Sequence, residues 1–307
     1  MSGDTPDSRA LKRAEAASFA AVARSFARLS EQITGPLAQR LVDGASLQPG
    51  NRVLDLGAGT GIVARRAARV VGESNVVALD LAPEMLLQVR EIRDAREAGP
   101  RGVACVAADA ERLCFPAGSF DRALSLFALT HVPDRTAAAA ELFRVVRAGG
   151  AATIGVGSGP PPGTATLWRH AVRTLPERLA RAAGKRLVAP DLLLSLLPGG
   201  ATASRSPAAR VDGEPASAWL PALLRRAGFD ELTTGWHRCV AELPDPAAFW
   251  EVHATFSTPV RDWLAATPAA EVAGVRRRFD QRCRRVLDAG GKLAYPFAAF
   301  VVCSRRP

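Results

Sequence analysis

The sequence has few of the features that would indicate a secreted, membrane-spanning or zinc-binding protein. Its five cysteines are scattered over 307 residues and form no C-x-x-C pair, which argues against a disulfide framework or a zinc site and favours a reducing cytoplasm. No apolar run reaches the ~20 residues that a transmembrane helix needs, and the first residues lack the basic and apolar regions of a signal peptide. We therefore expect a cytoplasmic protein with no membrane span and no bound metal.

Lysine is scarce as well, so arginine supplies most of the basic charge behind the net charge of +10. Residues 1–155 carry 19 basic and 17 acidic side chains, whereas residues 156–307 carry 21 basic and 13 acidic ones. No nucleic-acid-binding motif accompanies this excess, and its densest cluster, residues 276–285, fits the polar face of one helix. We interpret the charge as a solvated surface and do not expect a nucleic-acid partner.

One stretch of the chain, Val53–Ile62, places an acid and three alternating glycines where a strand is predicted to turn into a helix. Glycine accepts positive φ and lets the backbone approach a ligand, while the N-terminus of the following helix offers unpaired N–H groups. Gly59-x-Gly61-x-x-Ala64 also satisfies the dinucleotide fingerprint formally. The glycine pattern therefore predicts a cofactor site but leaves the cofactor open.

Carboxylates accompany three successive predicted strands. Asp55 lies on the strand before the glycines, Asp80 ends the apolar run that begins at Val76, and Asp109 follows the run from Val103 to Ala108. Open α/β sheets bind their ligands at the carboxyl edge of the strands. We expect the three carboxylates to meet at that edge.

Further motifs follow in order: Phe120-Asp121, His131-Val132-Pro133-Asp134, and the Arg-Ala-Gly-Gly segment that ends at Gly150. The whole set resembles the class I S-adenosylmethionine-dependent methyltransferases, in particular the small-molecule branch that includes the ubiquinone and menaquinone C-methyltransferases. The resemblance covers residues 15–156, with a weaker similarity over 223–235 and 298–304. It implies an α/β fold, namely a Rossmann-like, seven-stranded, mostly parallel sheet with helices on both faces and a helical cap formed by insertions.

The resemblance also implies a set of residues that bind S-adenosylmethionine. The glycines would border the methionine portion, Asp55 would fix the loop and the amino group, Asp80 would accept the ribose hydroxyls, and Asp109 would face the adenine amino group. Asp80 and Asp109 have a structural alternative, since aspartate is common at helix caps and turns. Phe26 stands where the family often has a tyrosine. The implied cofactor-binding set is Asp55, Leu56, Gly57, Gly59, Gly61, Asp80, Leu81, Met85, Asp109, Ala110 and Phe127.

His131 is the candidate catalytic base. It follows the fourth predicted strand, on the side where the methyl acceptor would bind, and an imidazole titrates near neutral pH. A purely structural role in the His-x-x-Asp segment is the equal alternative. His170 and His253 are weaker candidates, and His237 is interpreted as structural. Three aromatic residues could wall an acceptor pocket or belong to a core: Trp168, Phe249 and Trp250.

The chain divides into four predicted segments. N-terminal helices over residues 1–50 would cover the cofactor site, 51–156 would form the Rossmann-like core, 157–218 an inserted helical cap, and 219–307 would complete the sheet with a second helical excursion. Helical spacing of Phe19, Val22, Phe26 and Leu29 predicts one amphipathic helix, and Val63, Ala67 and Val70 predict the buried stripe of the helix over 62–71. The strands are expected to be apolar on both faces.

The activity that this interpretation predicts is methyl transfer from S-adenosylmethionine to a small or medium-sized organic acceptor, in specialised metabolism, by in-line displacement. A related protein that binds the cofactor without methylating is one alternative. A nucleic-acid methyltransferase is another, although the chain lacks an Asn-Pro-Pro-Tyr-type or Pro-Cys motif. The Asp109 and Arg-Ala-Gly-Gly segments argue against a nicotinamide-dependent oxidoreductase. We expect a monomer or homodimer.

Overall fold

A computed structural model describes residues 6–94, 102–157, 187–188, 191–197 and 215–307. Most of the predicted cap over 157–218, including the candidate residues Trp168 and His170, lies outside these residues. The helices are α1 (Pro6–Ala20), α2 (Ala23–Ile33), α3 (Gly35–Gly44), α4 (Ile62–Val71), α5 (Pro83–Asp94), α6 (Arg135–Val145), α7 (Asp191–Leu194), α8 (Ala216–Ala227), α9 (Pro246–Phe256), α10 (Thr258–Ala266) and α11 (Ala269–Asp288). The strands are β1 (Val53–Leu56), β2 (Val76–Asp80), β3 (Ala104–Ala107), β4 (Phe120–Leu126), β5 (Val146–Gly157), β6 (Leu187–Val188), β7 (Asp230–Leu243) and β8 (Lys292–Arg305).

The strands form a mostly parallel sheet in the order β3-β2-β1-β4-β5-β8, with β7 paired to β8. The strands β1 to β5 are parallel to one another, and parallel neighbours need crossover connections between them. β8 runs antiparallel to β5. The two-residue β6 pairs with the beginning of β8. The predicted Rossmann-like sheet of seven strands is confirmed, and β6 adds a short eighth strand to it.

Helices cover both faces of this sheet, as the resemblance implied. Leu54 and Leu56 of β1 lie in one core cluster with residues of α6 and α8, such as Leu142 and Leu220. Asp55 points to the opposite face, since successive side chains of a strand alternate, and there it bonds to α4. Because β1 is covered on both sides, all four of its residues are buried.

The structure corrects three details of the predicted elements. The helix over 19–29 is two helices, α1 and α2, separated by a turn at Ala21 and Val22. The rings of Phe19 and Phe26 are 6.3 Å apart, whereas seven residues of continuous helix rise about 10 Å, so the turn lets both rings pack beside Met85. Val70 is 40% exposed, and the adjacent Val71 is buried in its place.

The third correction concerns β3. Its end residues Ala104 and Ala107 are exposed and the two between them are half-buried. The strand lies at the edge of the sheet order, so it lacks the second neighbour that covers the central strands. Apolar composition on both faces therefore does not imply burial on both faces here.

The chain separates into two compact units. Residues 1–158, 207–237 and 298–307 form the first, and residues 159–206 and 238–297 form the second. In the described part of the second unit, Phe249, Val252 and Phe279 are fully buried among the helices α9 to α11. The four segment boundaries derived from the sequence remain a prediction.

The basic cluster of residues 276–285 lies on α11, whose opposite face buries Phe279 and Cys283. Arg276 donates to Asp280 at 2.9 Å, and its guanidinium lies 4.8 Å from the ring centre of Trp250. These contacts support the interpretation of the cluster as a polar helix face. Among the described residues we find no helix with the length and apolarity to cross a membrane.

Candidate cofactor-binding site

The glycine-rich turn between β1 and α4 has a backbone that only glycine adopts easily. Gly57, Gly59 and Gly61 have φ values of +68°, +54° and +77°. A Cβ atom on Gly57 would lie 2.1 Å from the Cβ of Ala128, and one on Gly61 would lie 2.9 Å from a methyl group of Val89. The turn therefore packs closely against the segment that follows β4 and against α5.

Asp55 connects β1 to the helix that follows the glycine turn. Its side chain is 1% exposed, and its Oδ2 accepts a hydrogen bond from the backbone N–H of Ala64 at 2.8 Å. Burial and, to a smaller extent, the nearby Asp80 raise the pKa of the Asp55 carboxyl to about 7, although the Ala64 bond lowers it. A cationic group that approached this carboxyl would favour its ionised form.

Asp80, at the end of β2, joins two backbone segments. Its Oδ2 accepts from the N–H of Gly59 at 2.7 Å, and its Oδ1 accepts from the N–H of Ala82 at 2.9 Å. The bond from Ala82 is the structural role in a turn that the sequence offered as an alternative for Asp80. The bond from Gly59 joins Asp80 to the glycine turn. Each carboxylate oxygen retains acceptor capacity after one bond, so these contacts are compatible with ribose hydroxyls. Burial raises the pKa of Asp80, although the backbone bonds and the charge of His131 lower it.

Two apolar residues of the predicted cofactor-binding set, Leu81 and Met85, follow Asp80 along the chain. Leu81 is 38% exposed, whereas Met85 is buried at 2%. Met85 packs in a cluster that includes Phe19 and Phe26 of the two N-terminal helices. Phe26, at the position where the family often has a tyrosine, packs here through its ring.

Asp109 follows β3 and contacts a residue that the sequence reasoning missed. Its Oδ2 binds the Nζ of Lys12 at 2.7 Å, and its Oδ1 accepts from the N–H of Glu111 at 2.9 Å. Lys12 also lies 2.6 Å from the carboxylate of Glu111. Burial alone would lower the pKa of Lys12, but its bonds to Asp109 and Glu111 raise it above its usual value. Ala110 packs half-buried against the core.

His131 lies in a short 3-10 turn after β4 and makes two contacts with α1. Its Nδ1 is 2.5 Å from Oε1 of Glu15, and its ring meets the ring of Phe19 edge to face, with 5.2 Å between the centres. The charge of His131 also lowers the pKa of Asp80. The structure thus brings the candidate base close to a predicted ribose-binding acid.

Phe127, between β4 and His131, has a backbone conformation unusual for a residue with a side chain. Its φ is +66°, and the conformation is held by a bond from its N–H to the carbonyl of Gly155 at 2.7 Å and by one from the Thr130 hydroxyl to its own carbonyl at 3.0 Å. Such strained residues are concentrated at functional sites. The position of Phe127 agrees with the predicted set.

Two hydroxyl groups near these residues are buried without a hydrogen-bond partner in the described part of the chain. They belong to Thr60, within the glycine turn, and to Ser125 on β4. Buried polar atoms without partners are rare in native proteins. The glycine turn, Asp55 and Asp80 offer polar groups beside these hydroxyls, and Leu81 offers an exposed apolar side chain. This combination fits a ligand that has both polar and apolar parts, such as S-adenosylmethionine.

The structure therefore collects the predicted residues at the carboxyl edge of β1 to β4, with His131 beside them. It adds Lys12 and Glu15 of α1, which sequence reasoning missed. The sequence did contain a signal for them. Lys12, Glu15 and Phe19 are three and four residues apart, and residues at these spacings share one face of a helix.

A sheet of this order, with a glycine turn after its first strand and acids after the next two, is typical of class I S-adenosylmethionine-dependent methyltransferases. Comparison with known proteins agrees. Residues 53–150 match the family described as a methyltransferase domain.

Two curated relatives and one solved structure are similar to parts of the chain. Aklanonic acid methyltransferase DauC of Streptomyces sp. (strain C5) is 35% identical over 41% of this chain and 57% of its own length. Ubiquinone/menaquinone biosynthesis C-methyltransferase UbiE of Vibrio cholerae is 39% identical over 36% of this chain and 42% of its own length. The chain therefore matches about half the length of these relatives. The YcgJ protein of Bacillus subtilis shares the fold, with a TM-score of 0.52 at 18% identity over 89% of this chain and 99% of that one.

Proposed function

We propose that the protein transfers the methyl group of S-adenosylmethionine to a small or medium-sized organic acceptor. The cofactor supplies a methyl group already activated on a sulfonium, so the protein needs to hold donor and acceptor in line, exclude water and remove a proton where the acceptor carries one. His131 is proposed as the group that takes this proton. No metal or covalent intermediate is part of the proposal.

The observation that carries the proposal is the bond from Gly59 N–H to Asp80 at 2.7 Å. It joins the glycine turn after β1 to the acid after β2, and these are the two parts of the site that would hold the methionine and ribose portions. Asp55 lies beneath the same turn, and Asp109 with Ala110 follows the next strand. We assign the adenine ring to the space beside Leu81 and Met85, with Leu56 and Phe127 completing the set.

The acceptor class rests on the relatives. By their names, DauC methylates aklanonic acid and UbiE acts in ubiquinone and menaquinone biosynthesis. By analogy we infer a small organic acceptor in specialised metabolism rather than nucleic acid. All five cysteines are free thiols, which agrees with a reducing cytoplasm.

Calorimetry with S-adenosylhomocysteine, the demethylated cofactor, tests the cofactor assignment, with NADH as the comparison ligand. We expect S-adenosylhomocysteine to bind and NADH not to bind. Asp80→Asn should weaken the affinity by 10- to 100-fold, or about 1.4 to 2.8 kcal/mol, because the amide is a poorer acceptor for two ribose hydroxyls.

Glu73→Gln is the matched control, since it removes an acid from the connection that precedes β2. Its affinity should equal that of the unaltered protein. Binding of NADH in place of S-adenosylhomocysteine, or full affinity in Asp80→Asn, would overturn the assignment.

Methyl transfer itself is tested with methyl-labelled S-adenosylmethionine and a panel of phenols, carboxylic acids, amines and quinols, with transfer RNA and duplex DNA as macromolecular comparisons. Label in a small-molecule product supports the proposal. Label in nucleic acid would favour the nucleic-acid alternative. Tight cofactor binding with no labelled product from any acceptor would favour a cofactor-binding protein that does not methylate.

A further inference from the structure

One face of α1 carries residues that contact the candidate site. Glu15 and Phe19 are one helical turn apart, and both contact the imidazole of His131. Lys12, one turn before Glu15, binds Asp109 and Glu111. Three successive turns of α1 are therefore fastened to residues that follow β3 and β4.

We propose that Glu15 is a positioning residue for His131: its carboxylate holds the proton of the ring on Nδ1, so that Nε2 is left to accept the proton of the methyl acceptor. This inference rests on the function proposed above. It assigns a role to a residue outside the sheet and outside the resemblance-derived set.

The geometry determines the tautomer. A neutral imidazole carries one proton, so one ring nitrogen donates a hydrogen bond and the other accepts. An ionised carboxylate can only accept, and Oε1 of Glu15 is 2.5 Å from Nδ1. Nδ1 must therefore carry the proton. In the described part of the chain no group bonds to Nε2 of His131.

The surroundings also restrain the ring. The side chains of His131 and Glu15 are 28% and 21% exposed, so the pair is partly shielded from water, and the ring of Phe19 limits rotation of the imidazole. The charge of His131 also lowers the pKa of Asp80, at the end of β2. After proton transfer, two carboxylates would therefore stabilise the imidazolium.

In the step that this arrangement serves, the acceptor's lone pair forms the new bond to the methyl carbon while the S–C electron pair stays on sulfur. The acceptor's proton passes to Nε2 of His131. The imidazolium then holds one proton on each nitrogen, with the Nδ1 proton still bonded to Glu15, and later loses the Nε2 proton to solvent. A carboxylate that orients a histidine base in this way is a general catalytic device.

Nitrogen-15 NMR of the full chain with labelled histidine tests the proposal without a known acceptor. Long-range proton–nitrogen spectra at pH 8 distinguish the two neutral tautomers, and His131→Asn assigns the His131 signals among the four histidines. We expect the unaltered protein to show His131 protonated on Nδ1. In Glu15→Gln the Nδ1-protonated fraction should fall, because an amide can also donate to Nδ1.

Two further variants make the test specific. Asp7→Asn removes the same charge from an exposed position of α1 and should leave the tautomer unchanged. Glu15→Asp keeps the carboxylate and should partly restore the Nδ1 proton. Once an acceptor is identified, Glu15→Gln should lower kcat at least tenfold with an unchanged KM for S-adenosylmethionine.

A His131 ring protonated on Nε2 in the unaltered protein would overturn the proposal, even if the Glu15 variants failed to fold. An unchanged tautomer in folded Glu15→Gln would also overturn it. Failure of the proposed function gives a different result, since S-adenosylhomocysteine would then fail to bind while the Nδ1 proton remained in place.

Discussion

Gly57 shows how one residue can determine the shape of the site. Its φ of +68° and the 2.1 Å that would separate an added Cβ from the Cβ of Ala128 exclude every other amino acid without rearrangement. Positive φ costs a residue with a side chain roughly 1–2 kcal/mol, and forced overpacking costs typically about 1–3 kcal/mol more. We predict that Gly57→Ala lowers the free energy of unfolding by about 3 kcal/mol, measured by urea denaturation.

Gly50→Ala is the matched control for this prediction. Gly50 has a similar φ of +82°, but an added Cβ would meet no atom within 4 Å. It should therefore show the backbone cost alone, about 1 kcal/mol. Equal losses in the two variants would mean that the contact with Ala128 contributes nothing.

Asp55 predicts a pH dependence of stability. Its pKa is about 7 in the folded protein because of burial and about 4 in an unfolded chain. Between pH 4 and pH 7 the unfolded chain binds fewer protons than the folded protein, so the contribution of Asp55 to stability falls as the pH rises. Raising the pH from 5 to 8 should lower the free energy of unfolding by about 3 kcal/mol through this carboxyl.

Asp55→Asn removes this contribution and retains an acceptor for the Ala64 N–H. Urea denaturation at both pH values should show a smaller loss in the variant than in the unaltered protein. The pKa of Asp80 is also raised, so its contribution has the same sign and persists in the variant. Identical pH dependence of the two proteins would contradict the prediction.

At the scale of elements, α1 is held to the rest of its unit by polar contacts as much as by apolar ones. Lys12 is buried and binds both Asp109 and Glu111. Lys12→Met would leave these two carboxylates side by side without a cation. We predict that backbone amides of residues 6–20 then exchange at least tenfold faster with deuterium, because α1 detaches more often.

Arg13→Met is the control for this prediction, since Arg13 is the next residue of the same helix and is exposed. Its amide exchange should match that of the unaltered protein. If Lys12→Met showed no faster exchange than Arg13→Met, the ion pairs would not be what holds α1.

The elements also show where sequence patterns reach their limit. The glycine turn and the helix α8, which ends at Gly228 with φ +109°, were predictable because local chemistry determines them. The break between α1 and α2 was not, since Phe19, Val22, Phe26 and Leu29 have helical spacing throughout. Tertiary contacts with Met85 decide where that helix is interrupted.

At the scale of the whole molecule, the motifs of the sequence predicted the class of fold and the edge of the sheet at which the acids lie. Asp55, Asp80 and Asp109 were expected at one edge because parallel strands place their carboxyl ends together, and the structure has this arrangement. The two-unit division could not be read from composition. The second unit takes residues from either side of a returning segment, 207–237, and only long-range contacts reveal such an interleaved order.

What the sequence alone determined is the class of fold and the acids and glycines of the proposed cofactor site, because each depends on neighbours within a few residues or on strand ends that a parallel sheet must align. The tertiary structure alone decided which side chains meet across long stretches of chain. Glu15 and His131 are 116 residues apart, and Lys12 and Asp109 are 97 apart. No local pattern encodes such pairs, since they arise only when α1 packs over the edge of the sheet.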